Sequence, residues 1–586
     1  PEAEQSEEVR QQLITNHYAL TTDFRIENVK VIDPCMGSGH ILVYAFDVLM
    51  DIYKSCGYTE RDAAKLILQH NLYGLDIDDR AYQLAYFAVM MKARSYNRRI
   101  FSSQVPSREG CPQGGVCINL CAIQESNLVD SGEWVVDSGA GSGEVQDTLQ
   151  YVLDVFTDAK EYGTILHVEQ RDYQAVLAAL DEWESTCELT LENHSKLQQL
   201  PLIRSLLRQA DVMARQYDVV VTNPPYMGIS NGNGKLNDFV KKYYPDSKAD
   251  LFAVFIEKCG QLTKKQCYQA MITQHSWMFL SSFEKLRAKL QMMDTVNMAH
   301  LGARAFEEIS GEVVQTTSWV QRKSNISEYW ATYARLVGYG SQQEKERAFL
   351  AKNNLHFSQK GNFSKIPGMP VAYWSNLRGD LFDNQLKDVF SSGGRNKTHN
   401  DAKYVRYFWE VKNIDKKWVF YENGGYCKKY YGNEDMVVNW SEEARSVYAS
   451  HGGLCNPRYW TSLGITWNKI NSNSPGFRIK KRNSLYSSMS PTILGGTDEE
   501  IYYILGFLNS KVLTYLLTII NPTTTTNVGE ILSMPLVKYG NLSLNFCISL
   551  ATQNVNISKT DWDSFETSWD FARHPLLKHY TYDDRP

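Results

Sequence analysis

The chain has 586 residues, of which 43% are hydrophobic and 22% charged, with a net charge of −5. This composition excludes a disordered or fibrous protein, and the length exceeds what one core sustains, so two to four domains are expected. Eleven scattered cysteines, an odd number, suit a reducing cytoplasm better than a disulfide framework. The chain opens on Pro1, which points to a fragment or a processed chain, and no signal peptide is read at its start.

The first element is a strand. Residues 29–35 (VKVIDPC) alternate apolar residues and stop at proline, and MGSGH then opens into ILVYAFDVLMDIYKSCG, apolar at helical spacing. A helix comes next in TERDAAKLILQHN, with Thr59 as its N-cap, and then a buried strand, LYGLDID. Another helix covers DRAYQLAYFAVMMKARSY, and VCINLCAI (116–123) is the third strand. Strands alternating with helices imply a parallel α/β sheet with right-handed crossovers.

Residues 100–215 are less regular and mostly helical in pattern, an insertion into the sheet domain. Cys111, Cys117 and Cys121 lie close together within it, but no CxxC pair occurs, so no metal site is assigned. The sheet resumes with DVVVTNPPY. After it come a Gly/Asn loop, the helix KADLFAVFIEKCGQLT, the strand CYQAMITQ, the helix SSFEKLRAKLQ and two final strands, TVNMAHLG and GEVVQTTSWVQR.

Beyond about 335 the texture changes to Asn, Tyr, Trp, Lys and Gly with short β-like runs. From 496 the chain is mainly helical. Three parts result: a sheet domain at 1–335, a second domain at 336–495 and a helical region at 496–586. Residues 341–490 hold 23 Lys and Arg against 13 Asp and Glu, a basic block in an acidic chain and so an electrostatic footprint for nucleic acid. The apolar run 501–520 has the length of a membrane span, but Asn509, Ser510 and Lys511 at its centre make it two buried helices.

Three motifs carry the chemistry. In DPCMGSGH (33–40) the glycines permit a tight turn and close approach of a ligand at a helix N-terminus. In GLDID, Asp76 stands at the tip of the second strand, where a carboxylate accepts hydrogen bonds from ribose hydroxyls. NPPY closes a strand of the same sheet. Two acceptors there, the Asn223 side-chain oxygen and the Pro224 carbonyl, suit the two hydrogens of an exocyclic amine such as adenine N6. Pro225 stiffens the turn, and Tyr226 can stack on the ring.

DPxxGSGxxL, GLDID and NPPY, in that order, resemble the gamma-type amino-methyltransferases that make N6-methyladenine in DNA. The likeness covers roughly residues 29–325. It implies a Rossmann-like class I methyltransferase domain. S-adenosylmethionine would be held by Asp33, Pro34, Gly37, Gly39 and Asp76, with Ile77 packed on its adenine. Glu125 is the candidate third-strand acid, and Phe306 in LGARAF is the candidate second stacking residue on a flipped base. Cys35 sits in the cofactor turn rather than in a nucleophile loop, and amino methylation needs no covalent intermediate. One departure is that the family's further cofactor segment is not found in the few residues before the first motif. Another is that about 140 residues separate GLDID from NPPY.

The basic block fits a DNA target-recognition domain, because a base inside a duplex must be flipped out to be modified. Arg395, Lys428, Lys429 and Arg478 are candidate backbone contacts. YVRYFWEV, KWVFYENGGYCKKYYGN, GITWNKI and LGFLNSKV extend the likeness to the methyltransferases of bacterial BREX phage-defence systems and to type IIG enzymes. That resemblance implies adenine methylation marking self DNA in the bacterial cytoplasm. It also implies double-stranded DNA and other BREX proteins as partners, and exposure to phage DNA-mimic inhibitors, with no membrane association. Three alternatives stay open: a catalytically silent sequence-specific DNA-binding subunit, a protein glutamine methyltransferase, and a methyltransferase-nuclease fusion.

Overall fold

The structure is a computed structural model. It describes the chain except residues 1–4, 22–24, 102–117, 130–133, 135–141, 189, 307–313, 376, 378, 472–474, 522–523, 537–540 and 579–586. Cys111 and Cys117 therefore lie outside the described residues. The chain divides into two compact units, 1–361 and 362–586.

The first unit is built on one nine-stranded sheet. Its strands are β1 (Val31–Asp33), β2 (Leu72–Asp76), β3 (Asn119–Ala122), β4 (Tyr217–Thr222), β5 (Thr263–Gln274), β6 (Asp294–Gly302), β7 (Thr316–Arg322), β8 (Trp330–Arg335) and β9 (Leu355–Gln359). Their order is β3-β2-β1-β4-β5-β7-β6-β8-β9. Strands β3 to β5 are parallel, and β7 runs antiparallel to both β5 and β6. The first seven positions form the Rossmann-like methyltransferase sheet expected from the sequence. Strand order reverses between β1 and β4, and ligands bind above the carboxyl ends at such a switch point. The sheet also runs past residue 335, because β8 pairs parallel with β6 and β9 antiparallel with β8.

Local sequence explains the joints. Gly39 precedes the helix His40–Ser55 with a φ of 84°, and a Cβ there would lie 2.9 Å from the Ala85 Cα. Only glycine lets the turn sit that close to the neighbouring helix Asp79–Tyr96. Thr59 caps the helix Glu60–Leu66 as predicted, and Asp78 caps Asp79–Tyr96 by accepting from the Arg80 N–H at 2.7 Å. One face of the sheet is packed by these helices around Phe46, Leu49, Ala85 and Val89. The insertion is helical, with segments Ser142–Val155, Ala159–Tyr162, Tyr173–Thr186 and Leu191–Ala214.

The second unit holds two four-stranded sheets. One runs Phe390–Ser391, Thr492–Gly495, Gly464–Thr466, Arg478–Lys480, and the other Val405–Tyr407, Met436–Asn439, Trp418–Glu422, Ser484–Tyr486. The apolar run 501–520 is broken as expected into Asp498–Leu508 and Lys511–Ile520, bent by 74°. Ser510 caps the second helix, and Leu505, Leu513 and Ile519 enter a core with Trp467 and Phe477. Among the described residues no single helix is long and apolar enough to cross a membrane.

Candidate active site

The tips of β1, β2 and β4 meet at the switch point. Asp33 ends β1 and is fully buried. Its Oδ1 accepts from the Cys35 N–H at 3.0 Å and from the Thr222 hydroxyl at 2.6 Å. Its Oδ2 is buried with no hydrogen-bond partner in the structure. Burial pushes the carboxyl up to about 7, against the pull of the Thr222 and Cys35 bonds. The Cys35 thiol is pushed up as well, first by burial and then by Asp33 beside it, so its thiolate is disfavoured.

Asp76, at the tip of β2, accepts from the Gly37 N–H at 2.8 Å through Oδ2 and from the Asp78 N–H at 2.9 Å through Oδ1. The glycine turn is thus fastened to the next strand tip. Asp78 serves as the helix cap and Asp76 does not. A Cβ built on Gly37 would meet nothing within 4 Å, so open space lies beside the turn. Ile77, just past the end of β2, is 46% exposed. A buried unpaired carboxylate oxygen, a ribose-type acid, an open glycine turn and an exposed aliphatic platform fit a cationic nucleoside cofactor such as S-adenosylmethionine.

The NPPY turn stands one strand away. Asn223 is exposed, and its amide makes no hydrogen bond to the described residues. Pro224 is buried and Pro225 exposed. Tyr226 is half-buried, and its hydroxyl donates to the Ile272 carbonyl of β5 at 3.2 Å. Its ring meets Phe252 edge-on at 6.2 Å. The aromatic plane is therefore held from two sides while the Asn223 amide is left available.

Two positioning residues were not legible from the motif. Thr222, just before Asn223, is the donor that joins this turn to Asp33. Asp250 caps the helix Leu251–Leu262 through the Phe252 N–H at 3.3 Å and also accepts from the Met227 N–H at 3.1 Å. The same carboxylate therefore fixes the exit of NPPY and the start of the next helix. A further pair, His275 Nδ1 and His300 Nε2, lies 2.9 Å apart past the end of β5 and within β6. Burial lowers both, to about 4 and about 3.

The remaining candidates scatter. Glu125 is half-buried beyond β3, where the residue reaching back is Gln124, which donates to Asp79 at 2.8 Å. Phe306 is half-buried and borders the undescribed residues 307–313. In the second unit Arg395 and Lys429 are exposed, and Lys428 lies 5.8 Å over the Trp562 ring. Arg478 is a correction. It is completely buried, pairs with Glu422 at 3.3 Å and bonds Asn468 at 3.0 Å. A guanidinium in that position satisfies an internal carboxylate and cannot reach a phosphate.

The family model described as Eco57I restriction-modification methylase matches residues 70–302. The adenine-specific methyltransferase PglX of Lacticaseibacillus casei (strain Zhang) is 37% identical over 94% of this chain and 47% of its own length. The adenine-specific methyltransferase BrxX of Escherichia coli O9:H4 (strain HS) is 35% identical over 98% of this chain and 49% of its own. The chain thus spans about half the length of these relatives. Among solved structures, the type IIL restriction-modification enzyme MmeI in complex with DNA aligns with a TM-score of 0.51. Its identity is 11%, over 96% of this chain and 69% of that one. The DrdV–DNA complex also aligns at 0.51, with 10% identity over 94% and 56%. At such identities these two matches establish shared fold.

Proposed function

We propose that this chain belongs to the family of the PglX and BrxX adenine-specific methyltransferases, about half of whose length it spans, and that it carries their catalytic part, methylating adenine N6 at a specific DNA site. The observation that supports this most is the unpartnered Asn223 amide, held one strand from a nucleoside-type pocket by the Thr222–Asp33 bond. S-adenosylmethionine would supply an electrophilic methyl group when bound at Asp33, Gly37, Asp76 and Ile77. The Asn223 side-chain oxygen and the Pro224 carbonyl accept the two N6 hydrogens of a flipped adenine, which draws the nitrogen lone pair out of the ring. Tyr226, oriented by Ile272 and Phe252, stacks on the base, and Phe306 is the second stacking residue.

The basic second unit grips the duplex and reads the site, with Arg395, Lys428 and Lys429 on phosphates. The biological role in this reading, supported by the likeness to PglX and BrxX, is marking self DNA in BREX phage defence, in company with other BREX proteins. The test is transfer of labelled methyl from S-adenosylmethionine to duplex DNA by the full-length protein, with base analysis of the product. Label in N6-methyladenine supports the reading. Label in protein glutamine, or in no acceptor at all, refutes it.

A further inference from the structure

The insertion between β3 and β4 returns to the carboxyl edge of the sheet in residues 158–166. On one side this segment touches the end of β2. Lys160 Nζ pairs with Asp79 Oδ2 at 2.9 Å, and that contact, with the Gln124 bond, holds the Asp79 carboxyl below its usual range. Gly163, buried and with a φ of 60°, lies against Ile77. A Cβ built on Gly163 would be 3.4 Å from the Ile77 Cδ1. On its other side the segment touches the elements beyond NPPY. Asp158 pairs with Lys235 at 2.7 Å, Glu161 accepts from the Asn233 amide, and the Tyr162 ring stacks on Phe239 at 4.6 Å. Two further bonds close the joint: the Tyr244 hydroxyl donates to the Ile165 carbonyl at 2.7 Å, and the buried Lys258 ammonium to the Leu166 carbonyl at 2.6 Å.

Isoleucine is β-branched and stiff at χ1, so packing against one flank is enough to fix how its exposed face is presented. Gly163 supplies that packing on one flank and leaves the remainder of the side chain uncovered. We infer that residues 158–166 of the insertion belong to the cofactor site, with Gly163 and Lys160 as positioning residues that fix Ile77 and Asp79 against the adenosine end of the cofactor. Gly163 acts through Ile77 and Lys160 through Asp79. A Cβ at Gly163 would come into ordinary van der Waals contact with Ile77, and it is the positive φ that strains any residue other than glycine there. The inference rests on the methyltransferase reading and names a pocket wall that the three sequence motifs do not contain.

The test is calorimetric binding of S-adenosylmethionine to the full-length protein and to Gly163→Val, Lys160→Glu, Ile77→Ala and the Ile77→Ala/Gly163→Val double variant. DNA affinity and the melting curve are measured in parallel. The expected result is at least fivefold weaker cofactor binding in Gly163→Val and a smaller loss in Lys160→Glu, with DNA affinity unchanged. The double variant is expected to bind no worse than Ile77→Ala, because Gly163 acts only through that side chain. Wild-type cofactor affinity in both Gly163→Val and Lys160→Glu overturns the inference, as does an additive loss in the double variant. If Gly163→Val fails to fold, Lys160→Glu on the exposed ion pair decides the matter alone. Failure of the wild-type protein to bind S-adenosylmethionine overturns the functional reading and this inference with it.

Discussion

Thr222, the last residue of β4, donates its hydroxyl to Asp33, the last residue of β1, at 2.6 Å with both side chains buried. The residue before the NPPY turn is thereby bonded to the residue that opens the glycine turn. The glycine turn and the NPPY turn share this one joint, so the position of Asn223 is tied to Asp33.

The state of Asp33 depends on pH. The Asp33 carboxyl is raised from 3.8 to about 7 by burial, so the folded chain holds a proton that the unfolded chain has released. Stability from this group is full below pH 4 and is lost as pH rises to 7. Glu422 in the second unit, raised to about 7 mainly by burial, adds a loss of the same sign. The informative quantity is therefore the difference between proteins. Asp33→Asn is expected to flatten the fall in melting temperature between about pH 4 and 7 relative to wild type. Equal slopes in thermal scans would show that Asp33 is ionised in the fold throughout.

Asp76 accepts two backbone N–H groups, those of Gly37 and Asp78. Hydrogen bonds to a charged acceptor contribute roughly 1.5–3 kcal/mol each. Asp76→Ala is expected to loosen the glycine turn and to weaken S-adenosylmethionine binding by at least about tenfold, since ~1.4 kcal/mol is one decade. Calorimetry on the variant checks this, and unchanged affinity removes Asp76 from the pocket.

The two classes of basic residue in the second unit separate by substitution. Arg478→Ala leaves Glu422 buried without its cation and is expected to cost about 3–5 kcal/mol of stability. Adding Glu422→Leu to Arg478→Met is expected to recover most of that loss. Reversing Lys428 and Lys429 to Glu is expected to leave the melting curve almost unmoved. It should weaken DNA binding and make its salt dependence shallower by about one to two units of slope. Denaturation curves and a salt titration of DNA affinity read both outcomes.

Much of the sheet of the first unit was legible because its signals are local. A proline after Asp33, glycines at a strand-to-helix turn, a cap at Thr59 and two prolines after Asn223 each dictate backbone conformation within a few residues. β8 and β9 were not legible. Their residues pair with β6 and with each other across the chain, and in sequence they share the polar, aromatic texture of the second unit. Arg478 was misread for a related reason. Charge along a sequence does not reveal whether a guanidinium faces solvent, and the partner that draws it inward, Glu422, is 56 residues away. Asp250 and Gly163 are ordinary in isolation, and only the folded chain brings them to the NPPY exit and to Ile77.

The most direct measurement is single-molecule sequencing of modified bases in DNA from cells carrying the full-length protein, as wild type or as Asn223→Ala, with its neighbouring genes intact. The expected result is N6-methyladenine at one short motif in the wild type and its loss in the variant, with the variant protein still binding DNA. N6-methyladenine at that motif at wild-type level in Asn223→Ala cells would contradict the role given to the NPPY amide.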